Sequence, residues 1–134
     1  MTTRSKISVA DVRNSFDTSV ASALTIRFFA RPLANLITPF FHNTGWTANR
    51  VTVARIPLAF AGVSLLAIPD PQIWVFSAII YYICYVLDCV DGNLARIQNA
   101  ASYLGKFLDG ISDAVYGFFA AFSLGIGLWL HMGE

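Results

Sequence analysis

The chain has 134 residues, so it is long enough for one domain at most. It is 56% hydrophobic and only 13% charged, whereas a soluble domain has about 25% charged residues. This composition excludes an ordinary soluble globular protein and indicates a membrane protein.

The basic residues fall in two parts of the chain, before residue 56 and between residues 96 and 106. They are Arg4, Lys6, Arg13, Arg27, Arg31, Arg50, Arg55, Arg96 and Lys106. Three bilayer crossings near 56–68, 72–90 and 110–130 would leave every one of them on the same side. By the positive-inside rule that side is cytoplasmic. We therefore expect a multi-pass protein of the cytoplasmic membrane.

Two segments precede the expected spans: a polar tail at residues 1–18 and an amphipathic helix at 19–45. A polar stripe recurs along the second segment at steps of three and four: Arg27, Arg31, Asn35, Thr38 and His42. Apolar residues cover the rest of its surface, which is typical of an interfacial helix with its arginines toward lipid headgroups. Pro32 and Pro39 are expected to bend or break it. A spanning helix is the alternative, but two arginines within a lone span would be costly.

Residues 46–134 are expected to form the transmembrane domain. Long apolar runs predict three spans, at about 47–68, 72–95 and 103–131. The turn Pro69–Pro71 separates the first two, and a loop at 97–101, followed by Ser102 as a helix N-cap, separates the last two. The predicted fold class is all-α: a polytopic membrane helix bundle of three transmembrane helices plus the N-terminal interfacial helix.

Four of the eight acidic residues lie where the second span ends and the third begins: Asp88, Asp91, Asp109 and Asp113. Each would cost about 2.5–3.5 kcal/mol near the bilayer centre, so a compensating cation is expected. Spacings of three and four place each pair on one helix face, and the short loop makes the two helices antiparallel neighbours. Ligands that are all carboxylates favour Mg²⁺ or Mn²⁺, with Ca²⁺ possible. Four of them could hold two ions about 4 Å apart, which suits displacement at a phosphate.

Small residues accompany these carboxylates. Gly92 and Ala95 lie on the face of the first pair, and Gly105 lies one turn before the third carboxylate. Because Gly costs about 1 kcal/mol in a helix relative to Ala, this pattern suggests space for a ligand such as a flat base. Close helix packing is the alternative. Arg96 could pair with a phosphate or a metal-bound carboxylate, or could reach the interface as a snorkelling side chain.

Eight residues together fit the spacing D-x₂-D-G-x₂-A-R-x₈-G-x₃-D-x₃-D: Asp88, Asp91, Gly92, Ala95, Arg96, Gly105, Asp109 and Asp113. This pattern resembles the signature of the CDP-alcohol phosphotransferase family, integral membrane enzymes of phospholipid synthesis. The N-terminal amphipathic helix also resembles the family, more loosely, as does the polar start of the first span at Asn49, Thr52 and Arg55.

The resemblance implies an enzyme that transfers a substituted phosphate group from a CDP-alcohol, with CDP-diacylglycerol as the expected donor, to an acceptor alcohol and releases CMP. The implied ligands of two Mg²⁺ or Mn²⁺ ions are Asp88, Asp91 and Asp109, with Asp113 as general base and a further ligand. The implied nucleotide-binding residues are Gly92, Ala95, Arg96, Gly105, Asn49 and Thr52. The active site would face the cytoplasm, with membrane lipid around it and no nucleic-acid partner.

Family members usually have six spans, whereas three are predicted here. We therefore expect a truncated chain that covers the N-terminal half of the family fold and acts as a homodimer. Two alternatives remain open. A membrane prenyltransferase also holds Mg²⁺-diphosphate between D-x-x-D and D-x-x-x-D helices, although it would not require the glycines, alanine and arginine between them. A non-catalytic half-protein could keep the site without turnover.

Overall fold

A computed structural model describes residues 6–14, 30–100 and 103–133, without the side chains of 103–106 and 108. Every regular element in these ranges is an α-helix, which confirms the all-α fold class. The helices are α1 (Val9–Asn14), α2 (Arg31–Asn43), α3 (Ala48–Leu65), α4 (Pro71–Ile97) and α5 (Tyr103–Met132). Residues 15–29, and the N-cap expected at Ser102, lie outside the described residues.

Local sequence signals explain where the long helices begin. The Thr47 side-chain oxygen accepts a hydrogen bond from the Arg50 backbone N–H at 3.4 Å and caps α3. At the start of α4, Asp70 Oδ1 accepts from the Gln72 N–H at 2.8 Å. Pro71 follows as the first helical residue, where its fixed φ and missing N–H cost nothing.

The ends of α2 and α4 are set by residues with positive φ. Gly45 has a φ of 85° after α2, and the Trp46 N–H donates to the Phe41 carbonyl at 2.9 Å. The rings of Phe41 and Trp46 meet edge to face, 5.4 Å between centroids, which supplies the apolar contact of a Schellman motif. Asn99, with a φ of 50°, ends α4 in the same way.

The short helix α1 is fixed by polar contacts at its start. The Ser8 N–H and hydroxyl donate to Asp11 Oδ2 at 2.8 and 2.9 Å, forming a capping box. These two hydrogen bonds lower the pKa of Asp11. Asn43 exchanges side-chain hydrogen bonds with the backbone of Ile7, so this segment docks on the end of α2.

Helix α2 turns its polar stripe inward. Thr38 is fully buried and His42 is buried, whereas Leu36 and Phe40 are 63% and 66% exposed. The apolar face of α2 is therefore its outer face. Whether this helix lies in the membrane interface stays a prediction.

The two prolines of α2 do not interrupt it. Pro32 lies in the first turn, and Pro39 lies inside a continuous helix of 13 residues. The expectation of a break is therefore wrong at Pro39. A break of the expected helix at Pro32, or a bend at either proline, stays a prediction. A first-turn proline costs no hydrogen bond.

The chain divides into two units, Met1–Val53 with Tyr85–Ala101 and Ala54–Cys84 with Ser102–Glu134. Helices α3 and α4 thus contribute a part to each. Seven buried apolar residues of the first unit form a cluster: Ala30, Ala34, Ala48, Val51, Val86, Val90 and Leu94. The second unit has its own cluster of Ala59, Cys84 and Tyr116.

Two described helical segments are long and apolar enough to cross a membrane, Pro71–Ile97 and Asp109–Met132. Few of their residues are buried inside the protein, as expected for helices that face lipid. Helix α3 has 18 residues and a length of about 27 Å, but its first half contains Asn49, Arg50, Thr52 and Arg55. The span predicted at about 47–68 therefore stays a prediction.

Candidate active site

The first carboxylate pair belongs to the last turns of α4. Asp91 is buried, and the Thr52 hydroxyl donates to its Oδ2 at 2.7 Å. The same hydroxyl lies 3.2 Å from the Ala48 carbonyl, so the carboxylate is its closer acceptor. Asp88 is half-buried one turn earlier. Thr52 therefore fixes the orientation of Asp91 from α3.

The second carboxylate pair belongs to the first turns of α5 and is joined by a buried arginine. The Arg55 side chain is only 4% exposed, while those of Asp109 and Asp113 are 42% and 58% exposed. Arg55 Nη2 donates to Asp109 Oδ1 at 3.0 Å, and Nη1 lies 3.8 Å from Asp113 Oδ1. The planar guanidinium fork suits two acceptors at once. It also offsets the repulsion between like charges four residues apart.

Arg55 was noted in the sequence as part of the polar start of α3 but was not among the candidate site residues. One signal could have found it. An arginine inside a mostly apolar helix needs a carboxylate partner if it is buried, and most acidic residues after position 55 belong to the signature. Asn93, fully buried on α4, was also missed, because the signature leaves its position unspecified.

The predicted nucleotide-binding residues have different surroundings. A Cβ added at Gly92 would meet no described atom within 4 Å, so packing against the described residues does not account for this glycine. Ala95 packs against the core of the first unit. Asn49 and Arg96 are exposed, and the surroundings of Gly105 are not described beyond its place in α5.

Asp91, Asp109 and Asp113, three of the predicted metal ligands, are oriented by hydrogen bonds or ion pairs within their own unit. Thr52 holds Asp91 in the first unit, and Arg55 joins Asp109 to Asp113 in the second. The metal site made by all four carboxylates stays a prediction.

The helical fold, the two apolar helices and the carboxylates at the ends of those helices define an all-α integral membrane protein. The family described as CDP-alcohol phosphatidyltransferase matches residues 45–132, which include the whole of α3, α4 and α5 and the whole signature. The chain belongs to the CDP-alcohol phosphatidyltransferase family, a family of membrane transferases in phospholipid synthesis. This confirms the resemblance and does not favour the prenyltransferase alternative.

The chain is also similar to the inner membrane protein YnbA of Escherichia coli (strain K12). The two are 31% identical over 70 residues, which are 52% of this chain and 35% of YnbA. The matched part therefore spans about a third of the length of this curated relative. No solved structure matches the chain.

Proposed function

We propose that the chain transfers a substituted phosphate group from a CDP-alcohol to an acceptor alcohol and releases CMP, with CDP-diacylglycerol as the first candidate donor. The observation that carries this proposal is the complete signature from Asp88 to Asp113 inside the matched segment 45–132. Fixed residue types at eight positions point to the chemistry of the family far more strongly than a lone pair of carboxylates would.

We propose Mg²⁺ or Mn²⁺ as the cofactor, as two ions held by Asp88, Asp91, Asp109 and Asp113. The donor set fits, because carboxylate oxygens without histidine or thiolate suit hard divalent ions. Two of these carboxylates, Asp109 and Asp113, are accessible, at 42% and 58% exposure. When bound, such ions would offset negative charge on the diphosphate and on the departing CMP.

Asp113 is the proposed general base. Its side chain is more exposed than that of Asp109 and lies beside the Arg55 guanidinium, so it can be oriented and still reach a substrate. It takes the proton of the acceptor hydroxyl while the hydroxyl oxygen forms a bond to the phosphorus that carries the donor alcohol. The bond from that phosphorus to the CMP oxygen breaks, and CMP leaves with the electron pair.

The nucleotide is proposed to bind beside Gly92, Ala95, Arg96 and Gly105, with Asn49 at the start of α3. The open space at Gly92 supports this proposal. Thr52 contributes through Asp91, to which its hydroxyl donates. A flat base beside Gly92 would find no Cβ in its way.

The orientation and assembly are also proposals. The basic residues lie in the parts of the chain predicted to be cytoplasmic, which supports an active site that faces the cytoplasm. A homodimer would supply further walls for the acceptor and the lipid chains.

The test measures CMP release by membranes that carry the chain. CDP-diacylglycerol and other CDP-alcohols are each combined with every acceptor alcohol of a panel. We expect release only with Mg²⁺ or Mn²⁺, and none after chelation. Asp113→Asn should abolish turnover and leave CDP binding largely intact.

Asp70→Asn is the matched control, because Asp70 lies outside the signature and Asn caps a helix as well as Asp. Turnover that survives both chelation and Asp113→Asn would exclude the mechanism. Binding of CDP without CMP release for any acceptor would favour the non-catalytic half-protein.

A further inference from the structure

A buried amide links α2 to α4 in the first unit. Asn93 is fully buried, and its Nδ2 donates to Asn35 Oδ1 and to Thr38 Oγ1, each at 3.1 Å. Its Oδ1 accepts from Arg96 Nη2 at 2.6 Å. Asn35 and Thr38 lie on α2, whereas Arg96 lies one turn further along α4. One side chain thus joins two residues of the N-terminal helix to a signature residue.

The neighbours of Asn93 determine which way its amide points. The Thr38 hydroxyl proton goes to the Ala34 carbonyl, at 2.7 Å, so the Thr38 oxygen is left to accept from Asn93. Arg96 can only donate, so the oxygen of Asn93 must face it. Both N–H donors and the carbonyl of the amide are therefore used. The partners of the nitrogen and the partner of the oxygen agree on which amide atom is which.

This arrangement restricts Arg96. An exposed arginine has many rotamers, and its five N–H donors otherwise point in many directions. Anchoring Nη2 on a fully buried acceptor fixes one end of the guanidinium and so limits where its other donors point. Pre-organisation of this kind strengthens binding of an anionic ligand because less conformational freedom is lost on binding.

We propose that Asn93 is a positioning residue for Arg96, and that Asn35 and Thr38 make α2 part of the nucleotide site. The inference rests on the proposed function, in which Arg96 contacts the CDP group. It assigns α2 a role in the nucleotide site: Asn35 and Thr38 of α2 orient the Asn93 amide, and this amide orients Arg96.

The experiment measures the Kd of CDP with Mg²⁺ for the full chain in lipid nanodiscs. Asn93→Leu keeps the side-chain size and removes every polar atom, so it should weaken CDP binding by about tenfold or more, as for loss of a charge-assisted hydrogen bond. Asn93→Asp keeps an acceptor for Arg96 but loses both N–H donors to α2. It should therefore bind CDP more tightly than Asn93→Leu and less tightly than the unaltered chain.

A double-mutant cycle separates positioning from general damage. If Asn93 acts through Arg96, Asn93→Leu should cause no further weakening in an Arg96→Ala background. Additive effects, or an Asn93→Leu variant that binds CDP normally, would overturn the proposed role. An unaltered chain that binds no CDP would instead overturn the proposed nucleotide site itself, so the two failures are distinguishable.

Thr38→Val covers the case in which Asn93→Leu does not fold. It removes the acceptor for one Asn93 N–H and should weaken CDP binding by about threefold or more, as for a neutral hydrogen bond. Thr44→Val is the matched control, because the hydroxyl of Thr44 also donates to a carbonyl four residues back but is exposed. Equal Kd values for the two valine variants would exclude a role for α2 in the site.

Discussion

Replacing Arg55 by methionine tests whether the buried arginine orients the second carboxylate pair. The substitution keeps most of the apolar stem and removes the guanidinium that lies 3.0 Å from Asp109 and 3.8 Å from Asp113. Both carboxylates would then lose their common partner, while the repulsion between them would remain.

The expected loss of stability is modest. At an effective dielectric constant of about 20, unit charges at these separations attract by about 4–6 kcal/mol each. Because Asp109 and Asp113 are 42% and 58% exposed, water replaces much of this attraction once Arg55 is gone. We therefore expect a net loss of about 1–2 kcal/mol in the free energy of unfolding.

The expected loss of activity is larger than the loss of stability. A displacement of about 1 Å at a reacting group can lower a rate by about 10²-fold, and Arg55→Met releases both the proposed base and a proposed metal ligand. Arg55→Lys should be intermediate, because a lysine ammonium cannot reach two carboxylates as a planar fork does.

The assays are the initial rate of CMP release and the thermal unfolding of the chain in nanodiscs. Arg50→Met is the control, because it removes the same charge from an exposed position of the same helix. If Arg55→Met and Arg50→Met release CMP at the same rate, Arg55 does not orient the site and the reasoning is wrong.

Two glycine substitutions give further predictions. Gly92→Ala should leave stability unchanged or raise it by up to about 1 kcal/mol, since its Cβ meets no described atom, yet should raise the KM for the CDP-alcohol. Gly117→Ala, equally open, should affect stability in the same way and leave the KM unchanged. A normal KM for Gly92→Ala would argue against a ligand there. Gly127→Ala should destabilise the chain by about 1–3 kcal/mol, because its Cβ would collide with the Leu66 backbone carbonyl. Gly125→Ala, in open space on the same helix, should not destabilise the chain. Comparing the thermal unfolding of these two variants tests the prediction.

Much of the helical structure could be predicted from local sequence. The turn at Gly45 and the Asp70–Pro71 start of α4 are short-range signals, since each depends on backbone conformation or caps within a few residues. The apolar runs of α4 and α5 extend over the segments expected for the second and third spans. The family could be predicted because its signature fixes residue types at helical spacing.

The direction in which α2 faces could not be predicted. A polar stripe opposite an apolar face is compatible with arginines toward headgroups, and equally with a polar face that packs against the protein while the apolar face meets lipid. The periodicity is the same in both cases. The burial of Thr38 and His42 and the contacts of Asn35 and Thr38 with Asn93 show that the polar stripe packs against the protein.

The contacts between helices could not be predicted from the sequence, for a related reason. Thr52 and Asp91 are 39 residues apart in the chain, and Arg55 and Asp109 are 54 residues apart. Spacing along a helix tells which side chains share a face, but not how that helix is rotated against another. The carboxylates could therefore be assigned from the signature, whereas the residues that hold them could not.

The polar first half of α3 connects these observations. Thr52 and Arg55, three residues apart, are two of the residues that make this half of the helix too polar for an unambiguous membrane span. Each of them also contacts a signature carboxylate, Asp91 in the first unit and Asp109 in the second. A threonine or arginine that faced lipid would be costly, but one that donates to a carboxylate reduces the cost of both groups. The polar residues in the first half of α3 are therefore explained by their hydrogen bonds to signature carboxylates.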